Sequence, residues 1–357
     1  MTFMGKFFHH PFFIRLFNWE YWPFNAVYVW TMPAWFYFCV RSRSLFFFTA
    51  SNPCIENGGL IGESKKDIHQ ILPKNRFPAT VHFTAGRPGT EVLASLEEQG
   101  LSLPLVGKPD IGGRGRGVKI LRTPQDIIYY AEKATMDFHI QAYIDYPLEV
   151  GIFYYRYPNK EKGMLTGIVS KQFLTVKGNG QDSLLTLIRN DKRGIMYLSS
   201  LQNMHRENLD RIPARDEEVM LSEFGNHARG SKFLDRSSWI DDELTDTIDR
   251  LSKEIDGFYF GRFDVRYNSL DELKKGEKFM IIELNGAGSE PTHMYDPEHS
   301  VFFAVKEIIR HWNIMARISK MNHDRGVPYP SFSEGRKIFR KDKEASKLLD
   351  VMAADLM

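Results

Sequence analysis

Cysteine is nearly missing from this 357-residue chain, which holds only Cys39 and Cys54. Two thiols cannot frame a disulfide-stapled secreted domain or a thiolate metal centre. A reduced, cytoplasmic setting is therefore expected. An excess of one charge is missing too. Lys and Arg number 47 against 45 Asp and Glu, a net charge of +2. A dedicated nucleic-acid binder usually carries a basic surplus, so nucleic acid is not an expected partner. No internal repeat and no low-complexity segment occurs. At 43% hydrophobic and 26% charged residues, the composition excludes a long disordered or collagen-like chain. The surplus is aromatic: 27 Phe, 15 Tyr and 6 Trp, many of them crowded into the first 50 residues.

From Tyr21 to Val40 the chain runs without a charge between Glu20 and Arg41, long enough to cross a bilayer. Pro23, Asn25 and Pro33 interrupt that run, and Leu, Ile and Val are scarce in it. Trp and Tyr prefer the headgroup level. Lys6, Arg15, Arg41 and Arg43 stand against Glu20 alone, four bases to one acid, a local excess of +3. A basic, aromatic segment of this kind suits a membrane surface, here the inner face. The other readings are an aromatic flap packed on the core or on a second copy of the chain, which makes a homodimer a candidate, and a transmembrane span. A secretory signal is excluded, since the run is too aromatic and lacks a small-residue cleavage site.

Strands and helices follow in mixture. LFFFT (45–49) reads as a buried strand and 52–59 as a loop. Strands are expected at 79–84, 103–108, 139–144, 149–155, 164–176, 259–267 and 279–284. Helices are expected at 63–72, 90–99, 123–133, 182–190, 241–255 and 301–312. Several strands neighbour strands, so a plain Rossmann alternation fits poorly and an α+β class is expected. The parts are an N-terminal segment 1–43, a short α/β region 44–100, a subdomain 101–148, a larger one 149–320, and a charged, peripheral tail 321–357.

The chemistry-bearing residues concentrate in a few places. Glu283 and Asn285 are two apart on an expected strand and so share a face. Asp264, on a neighbouring strand, could complete a set of oxygen ligands of the kind hard cations take. Alone, an E-x-N is as well read as a strand end. Lys108 ends a strand and runs into Gly112-Gly113-Arg114-Gly115-Arg116-Gly117. Backbone N–H groups of such a loop can approach phosphates closely, and the lysine adds a point charge. The loop matches neither the Walker pattern nor G-x-G-x-x-G, and alone it is equally a mobile surface loop. His139 to Asp145 reads as a strand entering a polar linker, whose backbone edge can bond an adenine while Glu149 accepts from ribose hydroxyls.

Taken in order, these pieces resemble the ATP-grasp superfamily over about residues 101–291. The pattern is similar to D-alanine–D-alanine ligase and the carbamoyl-phosphate synthetase large chain: a lysine strand, a glycine loop, a hinge, a second lysine and D…E-x-N. Residues 176–188 (VKGNGQDSLLTLI) resemble the GDG-x-x-T-I motif of cyanophycin and glutathione-forming ligases, while Gly225 to Gly230 departs from their N-L-S-x-G-G loop. The resemblance implies an ATP-grasp fold, two α+β subdomains gripping ATP behind a short α/β N-terminal region. It implies that Lys108 and Lys171 contact the ATP phosphates and that Gly113, Arg114, Gly115 and Gly117 form a lid. Gln141, Tyr143, Ile144 and Glu149 would line the nucleoside. Asp264, Glu283 and Asn285 would hold two Mg2+, with Mn2+ able to substitute. Arg262 and Lys171 would be catalytic, Arg262 facing the transferred phosphoryl group. The implied activity is ATP-dependent carboxylate–amine ligation through an acyl phosphate, releasing ADP and phosphate, with small-molecule or lipid-linked substrates. Asn226, His227, Arg229, Glu290 and His293 are the acceptor-pocket candidates. A phosphotransferase and a non-catalytic, membrane-associated nucleotide-binding module are the alternatives.

Overall fold

The computed structural model describes residues 9–113 and 115–356. Its N-terminal segment is broken into α1 (Pro11–Phe17), α2 (Phe24–Tyr28) and α3 (Met32–Ser42). Pro23 stands just before α2 and Pro33 in the first turn of α3, positions where a missing N–H is harmless. Among the described residues no helix is long and apolar enough to cross a membrane. One side of the segment is packed: Trp19, Val27 and Tyr28 are buried against Met294, Ala304 and Ile308, and Phe38 and Cys39 against Ile314 and Ile318. The other side leaves Trp30, Phe36, Tyr37 and Val40 exposed. The flap reading thus describes the inner side.

LFFFT is not a strand. Phe47–Ala50 is a 3-10 turn whose Phe47, Phe48 and Ala50 are all buried. A run buried at successive positions carries no period of two, so apolarity alone misread it. Local bonds choose the turn: Thr49 Oγ1 donates to the Phe46 carbonyl (2.9 Å) and Ser51 Oγ to that of Phe48 (2.7 Å).

After α4 (Lys65–Ile71) comes a four-stranded antiparallel sheet of β1 (Thr80–Phe83), β2 (Leu105–Pro109), β3 (Lys119–Leu121) and β4 (Phe138–Ala142), in the order β1-β4-β2-β3. Helices α5 (Gly89–Glu98) and α6 (Pro124–Lys133) cover one face. Thr123 and Asp126 form a capping box at the start of α6, with Pro124 in its first turn. Because β1 pairs with β4, residues 80–100 fold with this sheet and not with a separate preceding region.

The second sheet takes β5 (Leu148–Tyr155) and β6 (Met164–Gln172). A small ribbon of β7 (Thr175–Lys177) and β8 (Glu218–Met220) brackets α7 (Leu184–Asn190) and α8 (Leu198–Met204). The chain then returns as β9 (Lys232–Asp235), α9 (Asp242–Lys253), β10 (Phe260–Tyr267), α10 (Leu270–Lys274) and β11 (Phe279–Asn285). The order is β11-β10-β5-β6-β9, antiparallel throughout. Alternation decides which side chains meet. Val150, Ile152, Phe263 and Val265 enter the core with Leu244, Ile248 and Leu251 of α9. Glu149, Arg262, Asp264 and Arg266 fall on the opposite face.

Helix α11 runs from Val301 to Asp324, twelve residues beyond the expected end at Trp312, because Ile314, Met315 and Ile318 continue its apolar stripe. The expected peripheral tail is α12 (Phe332–Asp355), and its last turns are not peripheral. Leu349, Met352 and Leu356 are buried in the core of the four-stranded sheet. The scattered apolar positions among many lysines hid this role.

Burial pushes the Cys54 thiol up to about 12 and raises that of Cys39. At pH 8 only about one Cys54 in ten thousand is then thiolate. The native protein should react with a colorimetric disulfide reagent far more slowly than the denatured chain; a stoichiometric burst from native protein would contradict this packing.

Candidate functional site

The two sheets face each other across a cleft, and each contributes one face of polar residues. On the larger sheet Asp264 lies directly across from Glu283, and Arg262 from Asn285. Gly151 sits opposite Asp264 on the other side; a Cβ there would lie 3.1 Å from an Asp264 carboxylate oxygen, so the glycine makes room for that side chain. Asp264 is buried and held by Arg262 Nε (2.8 Å) and Lys171 Nζ (3.1 Å). Lys171 also binds Glu149 at 2.8 Å. Burial alone would raise the Asp264 pKa, but Arg262 and Lys171 outweigh it and hold the carboxyl below its ordinary range. Burial likewise works against Lys171, yet Asp264 and Glu149 keep its pKa above the ordinary value. Both stay charged.

The sequence-expected metal ligands therefore converge. Asn285 adds a diagnostic: its Nδ2 is buried with no hydrogen-bond partner. A buried, unpaired N–H2 group is costly and points to a hydrogen-bond acceptor that binds there; Nδ2 cannot ligate a cation, for which only the Asn285 Oδ1 is suited. Two carboxylates in register and an amide beside them form the all-oxygen donor set that suits Mg2+, so the residues fit the ion the resemblance implies.

Lys108 reaches over from β2, where its ammonium donates to Gln141 Oε1 (2.9 Å) and to the Ile282 carbonyl on β11 (3.3 Å). Burial lowers its pKa to about 8, with Glu283 opposing the shift. Gln141 Nε2 donates to Thr80 Oγ1, so this amide orients the lysine. Tyr143 and Ile144 lie in the connection between the sheets. The Arg266 guanidinium ties them down, through the Tyr143 hydroxyl (3.3 Å) and the Ile144 carbonyl (3.1 Å). Glu149, expected at a ribose, is instead buried between Lys171 and Arg266. A Cβ on Gly225 would lie 2.4 Å from its carboxylate, so Gly225 covers it.

The glycine loop rests on α12 and on the 226–230 turn. A Cβ on Gly112 would strike Leu349, and one on Gly117 would strike Pro109, both glycines having positive φ. Gly113 is open to solvent, and Arg114 lies outside the described residues. Arg229, expected to clamp a carboxylate, donates to the carbonyls of Gly115 (2.5 Å) and Val118 (3.3 Å). It holds the lid. Asn226 caps its own turn by accepting from Ala228 N–H. His293 is drawn away from the cleft: it is buried, 3.2 Å from Glu307, and its ring covers Gly167. Glu290 stays at the cleft, its carbonyl accepting from Arg262 (3.1 Å) and its carboxylate from Tyr28 (2.7 Å) and Tyr295 (3.0 Å).

The N-terminal segment supplies residues that sequence reasoning overlooked. Glu20 is buried and bridges Arg193 (2.9 Å) and His227 (3.0 Å). Arg193 in turn donates to the carbonyls of Gly230 and Ser231. The signal available was that Glu20 is the lone acid in 43 aromatic, basic residues. Removing its charge should loosen the 226–231 turn: Glu20→Gln is expected to cost about 2–4 kcal/mol of stability by leaving Arg193 poorly paired, read from chemical denaturation. A loss below about 0.5 kcal/mol would mean that the bridge is idle.

No protein-family model and no curated protein matches the chain. Solved structures resemble it at low identity. D-alanine–D-alanine ligase from Bacillus anthracis is similar over 74% of this chain and 69% of its own, at 15% identity and a TM-score of 0.41. The VanG D-Ala:D-Ser ligase from Enterococcus faecalis is similar over 72% and 61%, at 14% identity and 0.39. A bifunctional glutathione synthetase from Pasteurella multocida is similar over 69% of this chain, at 16% identity and 0.36; the chain spans 35% of that protein's length.

Proposed function

We propose that the chain is an ATP-grasp carboxylate–amine ligase, activating a carboxylate as its acyl phosphate and passing it to an amine. One observation carries the reading. Lys108, on the smaller sheet, donates to the Ile282 carbonyl on β11 of the larger sheet, next to Glu283, while β10–β11 register sets Glu283 and Asn285 across from Asp264 and Arg262, and Lys171 pairs with Asp264. Phosphoryl transfer asks a protein mainly to position the reactants and neutralise charge. Lys108, Lys171 and Arg262 supply cations, the last two placed beside the acidic group by their pairing with Asp264. Asp264, Glu283 and Asn285 would hold Mg2+, which when bound shields phosphate charge. The glycine loop, latched by Arg229, would exclude water from a reactive acyl phosphate. Glu290, oriented by two tyrosine hydroxyls, would receive the amine.

The test is ATP turnover with Mg2+ over a panel of carboxylates and amines, reading phosphate release and product mass. Release that needs one acid and one amine, with a product lighter than their sum by one water, is the expected result. A product heavier by one phosphate would instead identify a phosphotransferase.

The exposed aromatic side of the N-terminal segment supports a second component, docking on an anionic bilayer and a lipid-linked substrate. Trp30, Phe36, Tyr37 and Val40 are exposed beside Arg41 and Arg43. Deleting residues 1–43 would uncover Met294 and Ile308, so the informative variant is Trp30→Glu/Phe36→Glu. It should lose co-sedimentation with anionic liposomes; unchanged binding would refute the docking.

A further inference from the structure

A cluster of three histidines and one aspartate adjoins the phosphate machinery, His139 being the cross-strand partner of Lys108, but supplies none of its groups. His82 on β1 and His139 on β4 are direct cross-strand partners. Asp110 follows β2, and one ligand atom from each of His82, Asp110 and His139 lies within 4.8 Å of the others. His69, on α4, brings its Nδ1 to 3.1 Å from His82 Nε2, and its ring stands 4.8 Å from that of His139. His139 is fully buried, and neither of its ring nitrogens has a hydrogen-bond partner. Two orphaned nitrogens in one buried ring are costly, and nothing in the reading above uses them.

We propose that His69, His82, His139 and Asp110 form a site for a transition-metal dication of the zinc class. Imidazole nitrogens with one carboxylate are a borderline donor set, preferred by Zn2+ over Mg2+. Zinc–nitrogen bonds of about 2.0–2.1 Å in a tetrahedron place ligand nitrogens about 3.3 Å apart, close to the 3.1 Å between His69 and His82. Metal binding takes the neutral ring. Asp110 spends Oδ1 on the Lys66 N–H (2.8 Å), which orients the carboxylate. Of the cations nearby, Lys65 is engaged with the Gly112 carbonyl and Lys108 with Gln141, while Lys66 is exposed.

The position gives the ion a role. Ile68 and Leu72, on either side of His69 in sequence, belong to the core of the five-stranded sheet. His82 and His139 belong to the four-stranded sheet. A metal here would strap the two subdomains together beside the nucleotide cleft.

The test uses the full chain stripped with a chelator, then titrated with Zn2+ alone against a chromophoric competitor, with Co2+ substitution as the spectroscopic readout. It needs neither ATP nor Mg2+, so its failure leaves the ligase reading untouched. The expected result is one ion per chain, an intense tetrahedral Co2+ spectrum, and affinity reduced at least about a hundredfold in His82→Gln and in His139→Gln. Zn2+ should also raise the melting temperature by several degrees in the native protein only. If a variant fails to fold, His69→Phe, on the cluster's helical side, serves as the third test. Absence of tight binding, or binding and a cobalt spectrum unchanged by the substitutions, would overturn the proposal.

Discussion

Glu283→Gln is expected to lower ATP-dependent phosphate release by about a thousandfold or more, the scale lost when a group that stabilises transferring charge is removed. The melting temperature should stay within about 2 °C of the native value, as for a surface change. Glu283 is the informative position because it is partly exposed at the cleft, directly across from Asp264. Asp264→Asn would be ambiguous: it strips the buried Lys171 and Arg262 of their shared partner, and breaking a buried pair costs about 3–5 kcal/mol by itself. A pair of outcomes therefore separates chemistry from folding. Glu283→Gln should lose turnover and keep stability, while Asp264→Asn should lose both. Full turnover in Glu283→Gln would remove the metal role from the E-x-N strand.

Asn52→Ala is expected to destabilise the fold by about 3–5 kcal/mol, an effect reserved for buried networks. Asn52 is fully buried, and its amide spans two chain segments. Its Oδ1 accepts from the Tyr259 and Phe260 N–H groups (both 2.9 Å). Its Nδ2 donates to the carbonyls of Gly58 (3.0 Å) and Phe260 (2.8 Å). Truncation takes the side-chain partner from the Tyr259 and Phe260 N–H groups and from the Phe260 carbonyl, while the Gly58 carbonyl keeps the Ala287 N–H (2.9 Å). The same amide reaches the site indirectly. Gly59 packs so closely on Gly286 that a Cβ would lie 2.8 Å from its Cα, and Gly286 follows Asn285. The variant should also lose turnover even at temperatures where it remains folded. A urea midpoint lowered at unchanged slope is the measurement; a loss under about 1 kcal/mol would show the network to be dispensable.

Much of this organisation was legible in the residues. Alternation along β10 placed Arg262 and Asp264 on one face and Phe263 and Val265 on the other. Thr123-Pro124 and Asp241 marked helix starts where the structure has them, while α7 begins at Leu184, capped by Ser183, two residues after the expected start at 182. The α+β class followed from that patterning, whereas the metal role expected of the D…E-x-N strands came from the resemblance and not from the patterning. What stayed hidden depends on contacts between distant segments. Nothing local distinguishes Arg229, which latches the glycine loop, from a carboxylate clamp. His293 reads as a pocket residue until Glu307, a full turn into α11, draws it into the core. Glu20 looks like an isolated surface acid until Arg193 and His227, from the middle of the chain, converge on it. The buried run at Phe47 lacked any periodicity to read, and the apolar anchors of α12 were too sparse to announce a core helix.

The most direct measurement of the proposed chemistry follows one oxygen atom. Once the panel has named the acid, that carboxylate is labelled with heavy oxygen and turned over with ATP, Mg2+ and the amine, and the released phosphate is weighed. An acyl-phosphate ligase transfers one labelled oxygen from carboxylate to phosphate in every turnover, and the amide retains the other. Phosphate released without label, with the label kept in full by the carboxylate, would mean that water attacks ATP directly and would contradict the ligase reading.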